Sequence, residues 1–328
     1  ELDTYFSMAR GYQGEHGDVK ALAMKKWFNT NYHYIVPEVE DDTQIKLSGD
    51  KLWNEYDEAE ELGIVTKPII TGAYTMLKLC RYTGNKSAAD YVDDIVKAYK
   101  ELLQTCGKKQ IAWVQFDEPA LVLDMSDEDK KLFHEIYDAL LACSTDTKIL
   151  LQTYFGDIRD IYEDVIKMSF AGIGIDFIEG KQSYELVSKF GFPKDKVLFA
   201  GLVNGKNIWK NHYDKTLKIV NELADKGVDT VISTSCSLLH VPYTLENEEK
   251  LSKEYIAYFS FAKEKLVELN ELGKLADKKN YCDDEVYKKN HELFNGNRNC
   301  TNASVSERLS KVKEDDYVRL QQRLSRMF

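Results

Sequence analysis

Short apolar runs alternate with longer amphipathic stretches along this chain. The runs are KPIITG (67–72), IAWVQFD (111–117), KILLQTYF (148–155), FAGIGIDF (170–177), VLFAGLV (197–203) and TVISTSCSLLH (230–240). Each is brief, β-branched or aromatic, and apolar at successive rather than alternate positions. That pattern predicts strands buried on both faces, as in a parallel sheet. Between the runs the spacing becomes helical. Tyr91, Ile95, Tyr99 and Leu102 predict a helix over 87–104, opened by a Ser87/Asp90 capping box. Leu217, Val220 and Ala224 predict a second over 213–224. Leu251, Tyr255, Tyr258, Ala262, Leu266 and Leu269 predict one long helix over 246–274. Charged residues fill the opposite faces.

Six strand–helix units in one series require a parallel sheet with helices outside it. Two architectures satisfy this: a closed eight-stranded barrel or an open doubly wound sheet. No GxGxxG follows any strand, so the dinucleotide-binding form of the open sheet has no support. The polar residues cluster just after the strands: Asp117-Glu118, Thr153-Tyr154, Asp176, Asn204 and His240. In a barrel these fall on the C-terminal face, where barrel sites lie. The expected fold is therefore an α/β parallel (β/α)8 barrel of the TIM type. It is incomplete here, with about six βα units, and NYHYIVPE is a seventh or accessory strand. Residues 1–272 are read as the barrel domain. Residues 273–328 turn polar and are read as a helical extension leading away from it. No internal repeat appears.

The bulk numbers narrow the partners. The chain has 328 residues, 43% hydrophobic and 30% charged, with a net charge of −11. An acidic surface disfavours nucleic acid and anionic membrane, since no basic surplus exists to neutralise phosphates. The six cysteines, Cys80, Cys106, Cys143, Cys236, Cys282 and Cys300, show no CxxC pair and no metal-ligand spacing. They read as reduced thiols of a cytoplasmic protein. No run approaches the ~20 apolar residues of a membrane span. ELDTYFSMARG has no signal-peptide pattern and no initiator Met, which reads as a fragment or a processed chain. Sequons at Asn299 and Asn302 carry little weight in such a protein.

The densest chemistry lies in KWFNTNYHYIVPE, Lys26 to Glu38, which mixes aromatic rings with Lys26, Asn29, Asn31, His33 and Glu38. That composition suits a polar pocket on an aromatic wall. The stretch resembles a segment of cobalamin-independent methionine synthase. WVQFDEPALVLDM (113–125), LLQTYFG (150–156), AGLVNGKNIW (200–209) and SCSLLHVP (235–242) resemble the same family in the same order. The likeness is to the N-terminal barrel of a duplicated pair. It implies that the family's first strands, with a basic folate-binding run, have no counterpart before Glu1. It also implies that the half holding zinc and homocysteine is missing. The implied reaction moves a methyl group from 5-methyltetrahydropteroyltriglutamate to homocysteine, without cobalamin. This chain would give scaffold and part of the folate-tail site. The family's usual GPVT is here Gly72-Ala73-Tyr74-Thr75, and its GRN is Gly205-Lys206-Asn207.

Individual residues follow from this. Lys26 matches a family lysine that contacts the glutamate tail, and an ammonium suits successive carboxylates. Lys26 also reads as a surface lysine beside Lys25. Asp117-Glu118 at a barrel mouth suits acid–base chemistry or metal ligation, yet in the half without chemistry a structural role is expected. Cys236 and His240 suggest zinc, which needs three or four converging ligands. Ile149 and Leu151 are expected at the ligand places of the earlier strand, so no metal is expected here and Cys236 is read as buried and inert. His33 is expected to be structural, and His16, His134, His212 and His291 show no partner pattern. Two other readings stay open: a glycoside hydrolase-like barrel pairing Glu118 with a carboxylate such as Asp176, or a stand-alone, non-catalytic binding protein.

Overall fold

The computed structural model describes residues 2–15, 17–295 and 302–317. The strands are β1 (Met24–Lys26), β2 (His33–Ile35), β3 (Glu38–Val39), β4 (Ile69–Thr71), β5 (Arg81–Tyr82), β6 (Trp113–Asp117), β7 (Lys148–Gln152), β8 (Gly172–Asp176), β9 (Val197–Val203) and β10 (Asp229–Thr234). The helices are α1 (Leu2–Arg10), α2 (Lys51–Glu61), α3 (Ala73–Leu79), α4 (Val92–Lys108), α5 (Asp127–Leu141), α6 (Tyr162–Val165), α7 (Ser183–Phe190), α8 (Tyr213–Asp225), α9 (Lys253–Ile256), α10 (Ala262–Ala276), α11 (Glu285–Asn295) and α12 (Ala303–Ser310). His16, Asn299 and Cys300 fall outside the described residues.

All six predicted strands form one parallel sheet, in the order β4-β6-β7-β8-β9-β10. The sheet does not close: β4 and β10 are its edges among the described residues. NYHYIVPE is accessory to it. Its first part, β2, pairs antiparallel with β1, and β3 pairs with β5.

Successive strand residues point to opposite faces, and that alternation divides the sheet's chemistry. On β6, Val114 and Phe116 enter the helix-side core with Phe133, Ile136 and Leu140 of α5. Gln115 and Asp117 face the other way. On β7, Ile149 and Leu151 lie in the helix-side core, while Gln152 faces with Gln115. This corrects the expectation that Ile149 and Leu151 stand at ligand places. On β8, Gly174 makes room: a Cβ there would lie 2.0 Å from Gln152 Oε1.

Glu118, one residue past β6, is fully buried. Its carboxylate accepts the backbone N–H groups of Tyr74 (2.9 Å) and Thr75 (2.7 Å) and the Tyr137 hydroxyl. It thus joins the start of α3 to α5 behind the sheet. Gly72 permits this, since a Cβ there would lie 2.1 Å from the Glu118 carboxyl group.

The helices depart from the pattern in places. The capping box of Ser87 and Asp90 forms, but on a 3-10 turn, Ala88–Tyr91, that precedes α4. On α8 the inward residue is Leu223, and Ala224 is exposed. The long helix over 246–274 is broken. Tyr258 accepts from the Lys210 N–H and Ser260 donates to the Ile208 carbonyl, both in the loop after β9. Leu251, Tyr255 and Leu266 are exposed, whereas Lys265, Glu268, Leu272 and Leu275 face inward. Lys265 Nζ donates to the Trp209 carbonyl (3.0 Å), and Glu268 accepts from the Asn211 N–H (3.0 Å). Those buried polar bonds decide the helix's orientation over its apolar count. Helix α10 passes through position 272 without a break. Asn290 of α11 bonds to Asn211 and Tyr213 at the start of α8, which holds α11 against α8.

Replacing Glu118 by Ala should cost about 2–5 kcal/mol, because two backbone donors and a hydroxyl lose their buried acceptor. Glu118→Gln should cost less, since its amide oxygen still accepts from one of those N–H groups although its NH2 opposes the other. Urea denaturation checks both, and equal stability of all three proteins would refute the role given to Glu118.

Candidate functional site

The sheet's inner face ends in a cavity of about 650 Å³. Gln115, Asp117 and Gln152 rise into it from β6 and β7, and Tyr154 follows β7. Lys67, Ile69 and Thr71 line it at the β4 edge, and Cys236, Leu239 and His240 line it after β10. The β1–β2 hairpin supplies the remaining wall with Trp27, Tyr32, His33 and Tyr34. KWFNTNYHY thus does form an aromatic wall on a polar pocket.

The hairpin is tied down by contacts distant in sequence. Lys206 Nζ donates to Asn29 Oδ1 (2.9 Å) and pairs with Glu179 (2.9 Å), while Asn29 Nδ2 donates to Glu179 (3.3 Å). Tyr32 donates its hydroxyl to the Leu239 carbonyl (2.6 Å). Phe28 and Phe155 both adopt positive φ, 51° and 75°, a conformation that costs a bulky residue energy. Their rings meet at 6.0 Å between centroids, and Lys206 lies 5.0 Å from the Phe155 ring. The Lys206 of Gly205-Lys206-Asn207 therefore secures the hairpin. Asn204 builds the turn beneath it by accepting from the N–H groups of Lys206 and Asn207.

Asp117 is the cavity's carboxylate. It accepts from Gln115 Nε2 (2.7 Å) and the Tyr154 hydroxyl (3.1 Å). Burial pushes its carboxyl up to about 6 against those donors and Lys67. Burial pulls Lys67 down, opposed by Asp117. His240 is pulled down by burial and then by Lys206. Burial raises the Cys236 thiol to about 12, which keeps it a neutral thiol. This matches the inert reading.

The remaining candidates separate. Glu118 does not line the cavity, and burial pushes it up to about 7. Asp176 accepts from the N–H groups of Ile178 (2.7 Å), Glu179 (2.9 Å) and Phe155 (3.0 Å), fixing the loops after β7 and β8. With both carboxylates committed to backbone donors and outside the cavity lining, the glycosidase pairing has no geometry. Thr153 donates its hydroxyl to the Gly174 carbonyl and is structural. His134 lies between Asp138 and Asp164, and His291 bonds to Asp214. His212 stacks on Phe294. Lys26 is exposed at the end of β1, in register with His33 and next to Trp27, both lining residues, and does not itself line the cavity. Among the described residues, no group of three or more His, Cys, Asp or Glu side chains is placed to hold a metal ion. Cys236 and His240 alone do not fit zinc. Nor is any helix among them long and apolar enough to cross a membrane.

Sequence reasoning found Asp117, Tyr154 and His240 by their places after strands, and Cys236 by its spacing from His240 in SCSLLH. It missed Lys67, Gln115 and Gln152, whose only signal is a polar residue in or beside an otherwise apolar run.

A parallel α/β sheet with its polar groups gathered at the strand ends defines a barrel-type α/β protein. The cobalamin-independent synthase N-terminal domain matches residues 1–227, and the chain belongs to that family. It is 51% identical over 319 residues to the 5-methyltetrahydropteroyltriglutamate–homocysteine methyltransferase of Lactococcus lactis subsp. lactis strain IL1403, covering 97% of this chain and 42% of that protein. The same-named protein of Campylobacter jejuni subsp. doylei is 49% identical over 318 residues, with the same coverage. The chain thus spans less than half the length of these relatives. In fold it is similar to a B12-independent methionine synthase from Shewanella sp. W3-18-1, with a TM-score of 0.55, 15% identity, and coverage of 74% of this chain and 71% of that one.

Asp117 yields a pH prediction. Its folded carboxyl titrates near 6 instead of near 3.9. Between those values the folded state binds the extra proton, so the contribution to stability falls as pH rises through that window. Asp117→Asn should therefore be more stable than wild type at pH 7.5, by on the order of 1–3 kcal/mol, and the gain should shrink toward pH 4. Thermal melts across this range check it; a variant less stable at pH 7.5 would contradict it. Lys206→Met should leave the sheet folded but speed hydrogen exchange of the amides of residues 24–35, since it removes the bond to Asn29 and the ion pair that steadies Glu179 beneath it. Unchanged exchange there would show that the aromatic contacts suffice.

Proposed function

We propose that this chain is the N-terminal portion of a methyltransferase that moves the methyl group of 5-methyltetrahydropteroyltriglutamate to homocysteine, making methionine. The observation that carries the proposal is near-50% identity across 97% of the chain to proteins of that name. In this reading residues 1–272 supply scaffold and part of the folate-tail site. Residues 273–328, with α11 docked on α8, form the extension toward further chain. Homocysteine and a zinc ion that activates its thiol belong to the remaining part of the polypeptide, and no cobalamin takes part. The acidic surface and scattered thiols suit the cytoplasm.

Lys26 is the proposed tail contact. Its strand is fixed by the aromatic wall, and its exposed ammonium beside that wall can reach successive carboxylates without a desolvation cost. An exposed charge pair contributes less than a buried one, roughly 0.5–1.5 kcal/mol. Lys26→Ala in the complete polypeptide should therefore raise the dissociation constant for the triglutamate form about three- to tenfold. The monoglutamate form, lacking the outer carboxylates, should lose less, and added salt should weaken wild-type binding more than the variant's. Equal losses for both folates would make Lys26 a structural residue.

A further inference from the structure

His240 stands where the β1–β2 hairpin meets the body of the protein. Its half-buried ring lies edge-on to Tyr32 of the hairpin, at 5.3 Å between centroids, and edge-on to Phe155, at 5.6 Å. Phe155 in turn packs on Phe28, in the turn between β1 and β2. The residue before His240, Leu239, accepts the Tyr32 hydroxyl on its carbonyl. The imidazole thus sits inside the contact that keeps the hairpin in place. Moving the hairpin away would uncover the ring, together with the cavity wall that His240 shares with Trp27, Tyr32 and Tyr34.

The surroundings decide how that ring meets a proton. Among the described residues no group hydrogen-bonds to its ring nitrogens. Lys206, from the loop after β9, acts on it as a like charge, and its ammonium already lies 5.0 Å from the centroid of the Phe155 ring. Glu179, from the loop after β8, opposes Lys206, but its carboxylate is shared with Lys206 and Asn29. The hairpin presents the uncharged Tyr32 to the ring, with His33 on the cavity lining and Lys25 and Lys26 exposed. The neutral Cys236 thiol precedes it, and Tyr154, Asp117 and Lys67 line the same cavity. We propose that His240 is a proton-operated latch on the β1–β2 hairpin: the neutral ring holds the hairpin against the body, and the imidazolium releases it and opens the cavity. In the closed form a proton there is carried on a partly desolvated ring beside a like charge. In the open form the ring meets water and that cost is lost. Burial first, and then Lys206, hold the closed form's acidity below the ordinary value, which is near 6.5. The contribution to closure is therefore complete above that value and is lost as pH falls through the closed form's lower one. Release also relieves the positive φ of Phe28. The latch is independent of the folate-tail reading and goes beyond it.

Hydrogen exchange of the complete polypeptide, without folate, between pH 7.5 and pH 5.0 tests it, once rates are corrected for intrinsic exchange at each pH. Protection of the amides of residues 24–35 should fall roughly three- to tenfold toward pH 5.0, relative to the amides of β7 and β8 in the same samples. His240→Phe keeps an aromatic ring in the contact and removes the proton's site. Its protection at residues 24–35 should match wild type at pH 7.5 and stay level on acidification. The β7 and β8 amides also report whether the variant folds; if it does not, His240→Gln, likewise uncharged, is held to the same level profile. Wild-type protection that stays constant with pH would overturn the proposal. So would an equally steep fall in the folded variant, which would assign the response to another group. Because no folate is present, either failure leaves the reading of Lys26 standing.

Discussion

A buried carboxylate must find donors. Glu118 finds them in the first N–H groups of α3 and in the hydroxyl of Tyr137. Much else follows from that requirement. The side chain is committed to the helix side of the sheet, and its neighbour in an extended strand must then face the other way. Asp117 is placed in the cavity by the same register that buries Glu118, with Gln115 beside it. The two adjacent acids at the strand end therefore divide the work. One is bound to the backbone and holds β6, α3 and α5 together. The other keeps lone pairs open toward the cavity.

The hairpin illustrates a second constraint. Two short antiparallel strands alone are marginal in water, so β1 and β2 depend on what they touch. Asn29, Lys206 and Glu179 hold the turn, Tyr32 reaches the segment after β10, and Phe28 packs on Phe155. The positive φ values of the two phenylalanines are sustained by that packing. A strained backbone held by tertiary contacts is a way of fixing a short segment at a site edge, and the segment fixed here carries Trp27 into the wall and Lys26 beside it.

Much of the fold was legible because strands buried on both faces leave continuous apolar runs, and all six were read correctly. Asp117, Tyr154 and His240 were legible for the related reason that a polar residue at the end of such a run has only the sheet's end to occupy. Other features were illegible for physical reasons. The Asn29–Lys206–Glu179 contacts join three loops far apart in sequence, which no local pattern encodes. The helix expected over 246–274 failed because apolar spacing cannot reveal that Tyr258 and Ser260 bond to the loop after β9, or that Lys265 and Glu268 are the buried positions. Ile149 and Leu151 were misassigned by one register step, which in a strand reverses the face. Lys67 lies in the run KPIITG, whose apolar pattern gives no sign that the fold turns this charge into the cavity.

Gly72 carries a consequence for how this chain can change over generations. Its missing side chain is the space that the Glu118 carboxyl group fills. A methyl group at position 72 cannot coexist with Glu118 in its present place, and a shortened side chain at 118 leaves a void beside a glycine. The two positions are thus coupled, and the order of substitution matters. Alanine at 72 first meets a steric clash, whereas a smaller residue at 118 first opens the room that alanine would then occupy. The stepwise route to alanine at 72 therefore runs through a less stable protein that carries a smaller residue at 118 and still has Gly72.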